Sequence, residues 1–290
     1  MKTLIWHWLT LFGEILRNNG GWMSWNLFLA LLPLAISFWL FRRSRWQWFH
    51  AGIGLLLGIT LVPNLQRAWG YGSHIVRELG FAYVLSILLI TVGLMAWDFR
   101  PRRRHLSHSL NWWVGFFTWI AFLPNAPYVL TDVIHFINDI REYDSVWVIT
   151  LMIIPLYLLF MVVGFQAYVL SVINLGHYLQ RYQEGRFVPL AEWVIHSLSA
   201  VGIYLGRFQR FNSWDILTDP EQVVNTTINN LMGKGPVLVM FITFVVISSL
   251  YWLFKQITVS IIHWQQFRQK GGFHLAQVSV SVSSTSSKHS

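Results

Sequence analysis

The chain has 290 residues, 54% hydrophobic and only 11% charged, with a mean hydropathy of +0.47, whereas soluble domains carry about 25% charged residues. It contains no cysteine, which excludes disulfides, thiolate metal sites and a cysteine nucleophile. The net charge of +9 does not argue for a nucleic-acid partner, because Lys and Arg fall in short clusters beside apolar runs, the pattern that sets membrane topology.

A helix crosses a bilayer with about 20 mostly apolar residues. The first apolar segment, Thr3–Leu16, is shorter than that and is followed by Arg17-Asn-Asn-Gly-Gly21. It lacks the small-residue cleavage pattern of a signal peptide. Residues 1–24 therefore read as an amphipathic helix at the membrane interface. Residues 25–262 read as a transmembrane domain with the runs Trp25–Phe41, Trp46–Pro63, Leu79–Trp97, Leu110–Leu123, Val146–Tyr168, Val188–Leu205 and Pro236–Phe254. Residues 263–290 end in a Ser-rich stretch that reads as disordered. The predicted fold is all-α: a polytopic transmembrane bundle of about seven spans, with a broken fourth span and a surface helix on the outer face.

The break is predicted from Leu123-Pro-Asn-Ala-Pro-Tyr-Val-Leu-Thr-Asp-Val-Ile-His135. Pro124 and Pro127 each remove a backbone N–H and disfavour helix in the residue before them. Asn125 is placed to cap a new helix running to Asn138. On that helix Asp132, His135 and Asp139 are spaced i, i+3, i+7 and share a face. Such a stripe suits a divalent metal or proton transfer, or equally an Asp–His pair that satisfies itself at a helix break.

Within span six, Glu192 and His196 are i, i+4 on one face, a candidate proton path. Gln166 and Asn174 in span five read as helix–helix hydrogen bonds. Past span six comes Gly202-Ile-Tyr-Leu-Gly-Arg-Phe-Gln-Arg-Phe-Asn-Ser-Trp-Asp215. Arg207 and Arg210 are i, i+3, and the planar guanidinium suits carboxylate or phosphate. Asn212-Ser-Trp-Asp215 reads as a turn. Asp219 as N-cap and Pro220 in the first turn open a predicted surface helix that Gly233 ends.

Together the clusters predict an anion site lined by Asn125, Tyr128, Thr131, Tyr204, Arg207, Arg210, Asn212 and Trp214, with Asp132, His135 and Asp215 beside it as candidate catalytic groups. The alternative is an Arg–Asp lock between spans four and six. Orientation follows from the basic residues. Arg42, Arg43, Arg45, the Arg100–Arg104 cluster, Arg181, Arg186, Lys255 and the tail fall on one side, read as cytoplasmic. Asp132, Asp139, Asp215 and Asp219 collect on the other.

The two motif strings, with Pro220, resemble the signature segments of an uncharacterised bacterial membrane-protein family, domain of unknown function 1361. Trp25-Asn-Leu-Phe-Leu-Ala30 with Pro33 resembles that family's opening span, and the resemblance extends from about Trp25 to Tyr251. The stretch Arg42–His105 departs from it, since the family passes more directly to the Pro-Asn-Ala-Pro segment. The resemblance implies a multi-pass membrane protein and supplies no activity.

The expectation is a plasma (inner) membrane protein of unassigned activity with a polar pocket on its non-cytoplasmic side and a cytoplasmic C-terminus. Its expected partners are the lipid bilayer and an anionic lipid headgroup or lipid-linked phosphate, with no nucleic acid and no evident cofactor. A membrane-embedded metal-dependent hydrolase or transferase and a proton-coupled transporter are the alternatives.

Overall fold

The computed structural model describes residues 2–42, 47–79, 110–182, 184–213 and 215–286, and every element among them is helical. Residues 1–247 form one compact unit and residues 248–290 a second.

Helix α1 runs without interruption from Lys2 to Phe41. At 1.5 Å per residue it is roughly 60 Å long, about twice the hydrocarbon thickness of a bilayer. The helix continues through Arg17-Asn-Asn-Gly-Gly21, so the predicted interfacial segment and the first span are one helix. Gly in a helix interior costs about 1 kcal/mol relative to Ala, and this is offset by packing. Asn19 is buried, Ser24 Oγ donates to Gly20 O at 2.5 Å, and Arg67 Nη1 donates to Gly21 O at 3.2 Å.

Helix α2 (Gln47–Leu61) leads through a 3-10 turn, Val62–Asn64, into α3 (Leu65–Leu79). Then come α4 (Leu110–Phe122), α5 (Asn125–Tyr128), a 3-10 turn (Val129–Asp132) and α6 (Val133–Glu142). Helix α7 (Val146–Val148) passes through a π turn, Ile149–Ile153, into the long α8 (Ile154–Arg181). After α9 (Val188–Phe208) follow α10 (Asp215–Thr218), α11 (Pro220–Leu231) and α12 (Lys234–Ser286). Helix α12 enters the Ser-rich tail that the sequence suggests is disordered.

The described residues hold 5 helical stretches long and apolar enough to cross a membrane: Trp8–Phe41, Asn111–Glu142, Val146–Arg181, Gly185–Phe208 and Lys234–Trp264. They contain the predicted spans one, five, six and seven, and span four except its first residue, Leu110. Span two begins at Trp46, outside the described residues. The rest of it is the 15-residue α2 and the turn after it, which is below the length of the other stretches. Span three lies outside the described residues beyond Leu79.

Helix α1 packs on α2, α4 and α8. Leu31, Leu34, Phe38, Ile53 and Ala167 are buried together between α1, α2 and α8. Phe41 meets Trp119 edge-on at 5.0 Å, and Gly115 lies against the Trp39 ring where no side chain would fit. Buried polar groups in this core bond to one another, as they must where no water competes. Trp119 Nε1 donates to Ser171 Oγ (2.8 Å), and Asn174 Nδ2 donates to Ser37 Oγ (2.9 Å). The second bond makes Asn174 the helix–helix link its sequence position predicts.

Candidate functional site

The site begins at the two prolines. Leu123 N still reaches Trp119 O (2.9 Å), but Ala126 N reaches back only to Leu123 O (3.1 Å). Pro124 keeps helical dihedrals, φ −60° and ψ −22°. The chain thus tightens from an i−4 to an i−3 ladder and continues in the helical sense. Asn125 does not cap a new helix as predicted. A cap residue needs extended backbone and an oxygen facing the first N–H groups, and Pro124 occupies the cap position in helical conformation. Because Ala126 N has gone to Leu123, Phe122 O is released, and Asn125 Nδ2 takes it at 3.0 Å.

Asn125 Nδ2 also donates to Ser213 Oγ at 2.8 Å, so the two motif segments touch. Glycines let α9 approach. A methyl group on Gly202 would come within 2.6 Å of Pro124 Cγ, and one on Gly206 within 3.4 Å of Tyr128 Cε2. Gly202 and Gly206 form the small-xxx-small pattern that brings membrane helices together, here aimed at the Pro-Asn-Ala-Pro-Tyr segment. Helix α9 ends at Phe208, and Arg210 beyond it is in the left-handed region, φ 60°, with Phe211 N returning to Leu205 O (3.2 Å). The predicted turn at Asn212–Asp215 is present, with Asn212 N donating to Asp215 Oδ2 at 2.6 Å.

A second set of residues, on α1, meets the Asp–His–Asp stripe. Asp132 is 1% exposed and accepts from Asn26 Nδ2 at 2.9 Å. The His135 ring lies on Trp22, centroids 4.6 Å apart. Asp139 accepts from Asn19 Nδ2 (2.8 Å) and from Tyr157 OH (3.0 Å), and Trp22 Nε1 donates to Asn19 Oδ1 (3.0 Å). Asn19, Trp22 and Asn26 run up α1 as Asp139, His135 and Asp132 run down the facing segment, an antiparallel polar ladder. Sequence reasoning missed Asn19, Trp22, Asn26 and Tyr157. The only available signal was that the α1 residues share the spacing i, i+3, i+7 with their partners.

The remaining candidates divide. Arg207 is half-buried, and its charge acts on Asp132. Arg210 is exposed. Among the described residues neither arginine makes a hydrogen bond or ion pair. Among the described residues the alternative Arg–Asp lock has no direct hydrogen bond or ion pair: Asp132 is bonded to Asn26 and Asp215 to Asn212, and Arg207 meets Asp132 through its charge alone. Thr131 Oγ1 donates to Tyr128 O (2.8 Å). Tyr204 is buried with Leu205 and Met240 and stacks on Phe208 at 5.0 Å, so it belongs to the packing of α9. Trp214 lies outside the described residues. Among the described residues no group of His, Asp or Glu is arranged to hold a metal ion. His196 Nδ1 and Tyr168 OH, both buried, are 2.6 Å apart.

A family model described as Protein of unknown function (DUF1361) matches residues 81–249, more than half the chain and inclusive of both motif segments. Trp25–Ala30 and Pro33 lie before the matched region. No curated protein and no solved structure matches the chain.

Proposed function

The chain belongs to this family of proteins of unknown function, and from that premise we propose that it is a multi-pass membrane protein that holds an anionic group where its motif segments meet. The group is a lipid headgroup or a lipid-linked phosphate, and Arg207 and Arg210 are its ligands. The observation that carries this reading is the pair of arginines without a hydrogen bond or ion pair among the described residues, one of them half-buried. Asp132 acts on Arg207 through space without a hydrogen bond, so among the described residues the guanidinium donors have no acceptor. The candidate carboxylates Asp132 and Asp215 already accept from Asn26 and Asn212. The planar, permanently charged fork of Arg matches phosphate oxygens in pairs.

In this reading the membrane is the plasma membrane, the junction faces away from the cytoplasm and the C-terminus lies inside, as the distribution of Lys and Arg favours. Asp132 and His135 then set the field beside the anion. The metal-dependent hydrolase reading lacks a ligand group among the described residues. The proton path through His196 gains no support from its short contact with Tyr168.

Native mass spectrometry of the purified protein tests the proposal. Wild type is expected to retain anionic lipid, and the double variant Arg207→Gln/Arg210→Gln to lose it while keeping its melting temperature. Undiminished lipid on a folded double variant would refute the assignment.

A further inference from the structure

Two helices near the motif junction carry apolar stripes that the described residues leave uncovered. On α11, Val224, Ile228 and Leu231 recur at i, i+4 and i+7 and are 53%, 47% and 51% exposed. The helix has no buried residue. Its neighbouring edge is anchored, because Val223 packs against the cluster of Tyr204, Leu205 and Met240. The stripe is therefore presented by a docked helix. Leading into and along α3, Val62, Leu65 and Trp69 form a similar stripe, 65%, 56% and 80% exposed. The short α10 contacts both α3 and α11, which joins the two helices.

The setting identifies what covers them. Met232 and Gly233 alone separate α11 from α12, whose Lys234–Trp264 stretch is long and apolar enough to span a bilayer. The stripe on α11 thus lies at the mouth of a span. The opposite side of α11 carries Gln222, Asn225 and Asn229, amides that hydrate well and offer a soluble partner no charge pattern to recognise. Trp69 within the other stripe is the residue type that gathers at membrane–water interfaces. Interfacial helices bury such faces about 5–10 Å into the boundary between headgroups and acyl chains. We propose that α3 and α11 lie flat in the headgroup layer of the bilayer, with these stripes facing the acyl chains.

This inference does not depend on the anion site, and its test leaves Arg207 and Arg210 intact. The absence of native cysteine permits single nitroxide labels. Variants Val224→Cys, Ile228→Cys and Leu231→Cys are compared with Gln222→Cys, Asn225→Cys and Asn229→Cys in phosphatidylcholine liposomes, and Leu65→Cys with Gln66→Cys. Collision with oxygen, which partitions into lipid, is measured against collision with a water-soluble nickel chelate. The expected result is an oxygen-to-nickel ratio several-fold higher on the stripes than on the polar positions. Equal nickel access on both faces would overturn the proposal by putting the helices in water. Stripes shielded from both reagents would overturn it by showing a protein contact, such as a second copy of the chain.

Discussion

At Asp132 a carboxylate with 1% of its surface exposed depends on a donor from another helix, and Asn26 supplies it. The bond belongs to a class worth about 0.6 kcal/mol on average and up to about 1.7 between membrane helices. A double-mutant cycle of Asn26→Ala and Asp132→Ala, read from unfolding in detergent, is expected to give a coupling of about 1 kcal/mol. Strictly additive losses would mean that the pair is adjacent without being coupled. Asp132, His135 and Asp139 were legible as a stripe because they sit within one stretch of chain. Their partners were not, because Asn26 lies 106 positions from Asp132 and Asn19 lies 120 from Asp139. Only a shared spacing links such distant residues, and that spacing is common in helices. Asn125 was legible as important but not in its role, since the reassignment of one backbone N–H decided where its amide turned.

Among the elements, α9 and the Pro-Asn-Ala-Pro segment are matched by shape. Ala at Gly202 meets Pro124 at 2.6 Å, and a proline ring cannot rotate away as a flexible side chain would. Ala at Gly206 meets its nearest neighbour at an ordinary 3.4 Å. Overpacking of the first kind typically costs about 1–3 kcal/mol, so Gly202→Ala is expected to lower the melting temperature clearly and Gly206→Ala to leave it nearly unchanged. Similar shifts for both would show that α9 does not rest on Pro124. Helix α11 was readable in advance because its start is written locally: Asp219 accepts from Gln222 N at 3.2 Å, with Pro220 next in line. The continuity of α1 through Asn18-Asn19-Gly20-Gly21 was not readable, because the partners that hold it there come from α3, α6 and α8.

For the whole molecule, composition alone conveyed an all-helical membrane protein, and apolar stretches in the described residues bear that out. Sidedness rests on the Lys and Arg distribution and has a direct measurement. Cysteine at Asn229 is expected to react with an impermeant maleimide on intact cells, and cysteine at Ser283 only after permeabilisation. The reverse pattern would invert the orientation. Reaction of both without permeabilisation would mean that Lys234–Trp264 does not cross.

The antiparallel ladder also fixes a timetable for assembly. Helix α1 leaves the ribosome with Asn19 and Asn26 already in place, while Asp132 and Asp139 follow more than a hundred residues later. At synthesis rates of about 5–20 residues per second the gap lasts roughly 5–20 s. During that interval the leading helix carries two amides whose intended acceptors do not yet exist. Chains that stop before Asp132 keep those amides unmatched, which makes the ladder a built-in mark by which an incomplete chain differs from a finished one.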